Sequence, residues 1–75
     1  MKPVDVLIHF RHRPDAGTRH VIDTTLRNLP GVIAPWFAPH KEYLVVVYYN
    51  PSLVDSKGVL NCVRRLGFDA SLVAI

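Results

Sequence analysis

The chain has 75 residues, of which 49% are hydrophobic and 20% are charged, and its formal net charge is +3. This length is that of one small domain, which buries only about 60% of its unfolded surface, so we expect a single domain over residues 1–75. The longest apolar run, residues 44–47, is far shorter than the roughly 20 residues of a transmembrane helix, which predicts no direct membrane insertion.

The N-terminus and the cysteine content indicate a cytoplasmic protein. Asp5 and His9 interrupt the apolar N-terminal stretch, and no small-residue cleavage site follows, so we do not expect a signal peptide. Cys62 is the one cysteine in the sequence and has no partner for an internal disulfide, which agrees with a reducing compartment.

The first 31 residues predict a strand, a helix and a turn. Residues 3–10 alternate apolar side chains on one face with other side chains on the opposite face, which is typical of a strand. Residues 17–28 predict a helix that ends at the Pro-Gly pair of residues 30–31. The apolar stripe of this helix is spaced i, i+4 and i+7 and consists of Ile22, Leu26 and Leu29.

The middle of the chain predicts a hairpin. Residues 32–38 and 43–50 are rich in β-branched and aromatic side chains, and the short segment 39–42 suits the connection between two antiparallel strands. Pro35 has no backbone N–H to donate within a sheet. We therefore expect the strand that contains it to lie at the sheet edge.

The C-terminal third predicts a second helix and a last strand. Residues 55–67 have Asp55 or Ser56 in the N-cap position and Gly67 in the C-cap position. The apolar stripe of this helix consists of Val59, Val63 and Leu66. The last strand is expected within residues 68–75.

The predicted element order is β-α-β-β-α-β. Two right-handed split β-α-β units in one small chain give an α+β fold, the ferredoxin-like sandwich, in which a four-stranded antiparallel sheet carries both helices on one face. Because this fold supports many unrelated functions, the function has to be argued from a site.

Several stretches resemble the heavy-metal-associated domains of copper chaperones and metal-transporting P-type ATPases. These are "LRNLPGVIAPWF", "VVVYYNP" and "VLNCVRRLGFDASLV". The resemblance implies the ferredoxin-like fold, a role in metal handling, and a "G-M-x-C-x-x-C" metal motif after the first strand. At the family's spacing from Pro30, the two cysteine positions fall on Asp15 and Thr18, and the Gly-Met pair falls on His12 and Arg13.

The loss of both cysteines predicts a degenerate metal loop. Thiolates select soft ions such as Cu(I) and also bind Zn, whereas a hydroxyl is a poor ligand and a lone carboxylate is hard and weak. The usual two-sulfur site cannot form from Asp15 and Thr18. We expect Cys62 to pack as a small apolar side chain rather than to replace the missing thiolates.

Histidines in the same loop leave a second hypothesis open. His12, Asp15 and His20 lie close together in the sequence and supply ligand types that suit Zn, Ni or Cu(II). The neighbouring arginines would repel a cation, and no close histidine-pair motif is present. The expectation is therefore no cofactor or a weakly held one of these metals, and the alternative is that the histidines are simply solvated.

The loop arginines favour an anion. Arg11, Arg13 and Arg19 precede or open the first helix, where free N–H groups and the helix dipole attract negative charge. Arginine also matches a carboxylate or phosphate in geometry. The loop thus predicts contact with a small anion or an acidic protein surface, unless Asp15 or Thr18 only caps the helix and the arginines are solvated.

Strand alternation predicts an apolar surface on the side of the sheet that the helices leave open, here called the outer sheet face. Its predicted members are Leu7, His9, Trp36, Leu44, Val46 and Tyr48. Contiguous apolar surface of this kind marks an interface, so we expect a homodimer or docking onto another protein. The alternative is that inside and outside are exchanged by one residue, through a bulge near Pro35.

Two other functional classes are disfavoured. Ferredoxin-like RNA-binding domains carry basic and glycine positions that "YLVVVYYN" lacks, so no nucleic-acid partner is expected. Neither a Ser/His/Asp arrangement nor paired carboxylates mark a shared catalytic site, so no enzyme is expected. The leading hypothesis is a non-catalytic interaction or regulatory module of a metal-handling system, and the rival is a metal carrier that uses His12, Asp15 and His20.

Overall fold

The computed structural model describes residues 2–73 and confirms the predicted element order. The elements are β1 Val4–Phe10, α1 Ala16–Arg27, β2 Val32–Trp36, β3 Leu44–Tyr49, α2 Ser56–Arg65 and β4 Ala70–Leu72. The four strands pair antiparallel in the order β2-β3-β1-β4. This is the predicted ferredoxin-like sandwich. The last strand, expected within 68–75, is described as far as residue 73, and residues 74 and 75 lie outside the described residues.

Both helices begin at an aspartate that satisfies free backbone donors. The N–H of Thr18 donates to Asp15 Oδ1 at the start of α1, over 2.7 Å. Asp55 does the same at the start of α2, where it accepts from the N–H of Gly58 over 2.7 Å. These bonds replace the intrahelical partners that the first turn of a helix lacks. Of the two N-caps proposed for α2, Asp55 is the one observed.

The core lies between the helices and the inner side of the sheet. Strand residues Ile8, Val45 and Val47 are fully buried there, as is Phe10 at 1% exposure. The helices cover them with the buried residues Ile22, Leu26, Val59, Leu60 and Val63. Within residues 2–73 no side chain that is charged or fully polar is buried, so apolar packing dominates the side-chain core.

The predicted stripe of α2 is wrong at its last position. Leu66 is 37% exposed, whereas Leu60 is 7% exposed and belongs to the core. The helix ends at Arg65, and Leu66 rather than the predicted Gly67 is its C-cap residue. The side chain of Leu66 therefore no longer follows the helical stripe. Val59 and Leu60 together form the buried face at the start of the helix instead.

β2 is an edge strand, as Pro35 predicted. Pro35 pairs with Val47 on the buried side of the sheet, and the pairing register shifts between Val32 and Ala34. This irregularity leaves the predicted inside and outside unchanged, because Trp36 lies opposite Val46 on the outer side. None of the helices within residues 2–73 has the length and apolar character needed to cross a membrane.

Candidate interaction site

The loop between β1 and α1 leads into the helix at Asp15 and Thr18, the two positions at which the resemblance expects cysteines. Asp15 Oδ1 accepts the hydrogen bond from the N–H of Thr18, so the two positions are bonded to each other. This bond, helped by the nearby charge of Arg19, lowers the pKa of Asp15 below its ordinary value. Of the two capping residues that the sequence left open as an alternative, Asp15 and Thr18, Asp15 is the one observed.

The donor set at these positions does not fit a soft metal ion. Asp15 offers a hard carboxylate that already accepts a backbone hydrogen bond, and Thr18 offers a hydroxyl. Cys62 lies on α2, is only partly exposed and packs against the core. Burial raises the pKa of its thiol, against a smaller opposing effect of Arg65, which disfavours the thiolate form that binds metals.

The structure does not assemble the alternative ligand set. Over residues 2–73, no group of three or more His, Cys, Asp or Glu side chains lies in an arrangement that could hold a metal ion. His12, Asp15 and His20 are therefore close in sequence but do not form such a group. His12 and His20 are exposed residues on either side of the helix start.

The three loop arginines have different surroundings. Arg11 lies 3.6 Å from a carboxylate oxygen of Asp69, and Arg13 lies 2.6 Å from one of Glu42. Arg19 instead donates one long hydrogen bond of 3.5 Å to the carbonyl oxygen of Pro14. Sequence reasoning missed both acidic partners, although the topology places the loops that contain them at the same end of the sheet as the β1–α1 loop.

The β2–β3 loop forms two depressions on either side of His40. One has a volume of about 210 Å³ and is lined by Arg19, Phe37, Ala38, Pro39, His40 and Glu42. The other, of about 400 Å³, is lined by His9, His40, Lys41, Glu42, Tyr43 and Leu44. The ring of His9 stacks on that of Tyr43 with centroids 6.2 Å apart, so the second depression borders the outer sheet face.

The outer sheet face has the predicted composition. Strand pairing places Leu7 opposite Val46 and His9 opposite Leu44. The exposed fraction is 51% for Trp36 and 42% for Tyr48, whereas Leu7, Leu44 and Val46 are partly buried by their neighbours. The alternate residues of the same strands form the core, so the predicted assignment of inside and outside is confirmed. Pairing also adds residues that the prediction omitted, Asp5 opposite Tyr48 and Ser71 opposite His9.

Solved structures with the same fold include copper-binding and mercury-binding proteins. The copper-binding domain of HMA7, a P-type ATPase, is 20% identical, with a TM-score of 0.82 and 93% of each chain covered. The N-terminal domain of a potential copper-translocating P-type ATPase from Bacillus subtilis, in its Cu(I)-loaded state, is 21% identical. Its TM-score is 0.82, over 95% of this chain and 88% of that one.

Oxidized MerP from Ralstonia metallidurans CH34 is also similar, with 10% identity and a TM-score of 0.80. The match covers 95% of this chain and 97% of that chain. No protein-family model matches the sequence, and no curated protein matches it significantly. At these identities the likeness concerns the fold, and the chain has the ferredoxin-like fold of heavy-metal-associated domains.

Proposed function

We propose that this chain is a non-catalytic, cytoplasmic protein-interaction module of a metal-handling system, and that it associates with a second copy of itself through the outer sheet face. The observation that carries the proposal is the exposure of Trp36 and Tyr48 on a face that neither helix covers. A different protein as the occupant of this face is the competing outcome.

The metal-handling context is supported by the fold and by the place of the degenerate loop. One structural neighbour is described as a copper-binding domain, another as an ATPase domain in its Cu(I)-loaded state, and both descriptions concern the binding of a metal. In this chain the positions that correspond to the metal cysteines hold Asp15 and Thr18, which bond to each other. A module that keeps the scaffold without the thiolates suits a regulatory or companion role better than a carrier role.

The interaction role is supported by the chemistry of the outer sheet face. Tryptophan and tyrosine are enriched in protein interfaces, where one large side chain supplies much of the binding energy. Trp36 sits on the edge strand beside Val46, and Tyr48 lies further along the same neighbouring strand. Two copies bring together mainly apolar and uncharged groups, because Asp5 is the one carboxylate on this face among the paired strand residues.

Sedimentation velocity over a range of concentrations tests the homodimer. We expect the sedimentation coefficient to rise toward that of a dimer, and Trp36→Ser to weaken association by about tenfold or more. Val21→Ser is the matched control, since Val21 is 49% exposed but lies on α1 rather than on the sheet. A strict monomer at the highest concentration overturns the homodimer, and equal weakening by both variants overturns the outer sheet face as its site.

A metal titration tests the other part of the proposal. Zn(II), Ni(II), Cu(II) and Cu(I) are added separately while backbone amide NMR shifts are followed. The proposal expects no tight, saturable shift centred on residues 11–20. Tight binding there, lost on replacing His12 and His20 by alanine, would instead establish the metal carrier that uses His12, Asp15 and His20.

A further inference from the structure

We propose that the depression of about 210 Å³ between α1 and the β2–β3 loop binds a single carboxylate group. Arg19 supplies the charged donor, and His40, which lines the same depression, supplies a second donor. This carboxylate pocket, lined by Arg19, Phe37, Ala38, Pro39, His40 and Glu42, lies beside the degenerate loop and uses neither of its two motif positions.

The charges around the pocket favour one negative charge. Glu42 lines the pocket, but Arg13 lies 2.6 Å from its carboxylate and offsets its charge. Arg19 has no carboxylate within ion-pair distance in the part of the chain that the structure describes, and its bond to Pro14 is long at 3.5 Å. The formal charges of Arg19, Glu42 and the neighbouring Arg13 together come to about +1, which matches a monoanion better than a phosphate dianion.

The shape and the apolar walls favour an organic carboxylate. Phe37, Ala38 and Pro39 line the pocket together with Arg19. A guanidinium donates two parallel hydrogen bonds to the oxygens of a carboxylate, and apolar lining residues suit the carbon chain attached to that carboxylate. The volume accommodates a group as small as acetate or the side chain of a glutamate. Both sources present the same chemistry.

The backbone at His40 is an independent indication. His40 has a φ of +63°, and among residues 2–73 it is the one non-glycine residue with a positive φ. The N–H of Lys41 donates to the carbonyl oxygen of Ala38 over 3.2 Å, which closes a turn with Pro39 and His40 at its centre. Glycine is the usual residue at this turn position, and strained non-glycine residues cluster at ligand-binding sites.

Amide NMR titrations at constant ionic strength test the proposal. The probes are sodium acetate, N-acetyl-glutamic acid α-amide, the corresponding glutamine compound and sodium phosphate. We expect saturable shifts of Arg19 and of residues 37–42 with both carboxylates, and none with the glutamine compound. Arg19→Gln should weaken carboxylate binding by at least tenfold. Arg27→Gln is the matched control, because it makes the same charge change about 12 Å further along α1.

The outcomes separate the source of the carboxylate from the existence of the site. Tighter binding of the glutamate compound than of acetate assigns the pocket to an acidic side chain of a protein, and equal binding assigns it to small free carboxylates. His40→Gly is a second variant that the turn accommodates, and it should weaken binding several-fold. The proposal is overturned by unsaturable shifts, by equal affinity of wild type and Arg19→Gln, or by tighter binding of phosphate than of either carboxylate.

Discussion

Two proline turns flank β2, and they differ in the residue after the proline. In the turn of residues 29–32, the N–H of Val32 donates to the carbonyl oxygen of Leu29 over 3.1 Å, and Gly31 has a φ of +98°. In the turn of residues 38–41 the corresponding bond is 3.2 Å long, and the third position is His40 with a φ of +63°. Both have the pattern of a type II turn, which ordinarily requires glycine at that position.

The surroundings of the two turns explain the difference. The carbonyl oxygen of Gly31 accepts the N–H of Asn50 over 2.7 Å, and a Cβ at Gly31 would lie 2.8 Å from Val54 and 2.9 Å from Leu53. His40, in contrast, is exposed between two depressions. The first turn is packed so closely against Leu53 and Val54 that only glycine fits at position 31. At the second turn there is space for a side chain. The packing of the scaffold does not explain why a non-glycine residue takes a positive φ there.

The largest expected effect tests the packed turn. Gly31→Ala should lower the free energy of unfolding by about 3 kcal/mol, because the methyl group meets Leu53 and Val54 and the backbone is strained as well. Gly67→Ala is the matched control, since Gly67 has a similar φ of +95° but no atom within 4 Å of the point that a Cβ would occupy. Only the conformational cost of about 1–2 kcal/mol remains there.

Urea denaturation of the two variants and the wild type measures this difference. If Gly31→Ala and Gly67→Ala are equally destabilised, the close approach of Leu53 and Val54 contributes nothing, and only the backbone conformation requires glycine at position 31.

The scaffold was predictable from the sequence because local chemistry determines it. Periodicity predicted the element order, and the alternation within residues 44–49 predicted which side chains enter the core. Pro30-Gly31 and Asp15 mark a turn and a helix start through their own conformational and hydrogen-bonding properties. The prediction for Leu66 is wrong because the apolar stripe extends past the residue at which α2 ends.

The β1–α1 and β2–β3 loops were less predictable from the sequence, because their structure depends on contacts between residues that are far apart in the chain. Arg13 and Glu42 are 29 positions apart, and the charges alone do not reveal which acidic residue each arginine approaches. A positive φ is uncommon for any non-glycine residue, so the sequence pattern indicates a hairpin residue at His40 and not part of a pocket. Of the three arginines in the predicted basic loop, Arg11 and Arg13 lie near carboxylates, and Arg19 lines a depression.

A smaller effect tests the turn of residues 38–41. His40→Gly should raise the free energy of unfolding by about 0.5–1 kcal/mol, because relief of the left-handed backbone exceeds the entropy that glycine loses on folding. Lys41→Gly is the control at the next position, where φ is not positive, and it should be destabilising by a similar amount. Urea denaturation gives both values. If His40→Gly is instead less stable than the wild type, the imidazole stabilises the loop. The presence of histidine at this position is then explained without a bound ligand.

The smallest expected effect concerns Asp15, whose carboxylate caps the N-terminus of α1. The hydrogen bond from the N–H of Thr18 lowers the pKa of Asp15 in the folded chain, so its stabilising contribution is fully present above the unfolded pKa of about 3.9. The contribution is lost as the pH falls through the lower, folded pKa.

Asp15→Asn keeps a capping oxygen but does not titrate. The stability difference between wild type and Asp15→Asn should therefore be constant from pH 7 to about pH 5 and shift in favour of the variant on further acidification, as followed by thermal denaturation at each pH. Parallel stability curves for the two proteins down to the lowest pH would show that Asp15 gains nothing from its charge in the folded state, and that an uncharged cap serves this helix equally well.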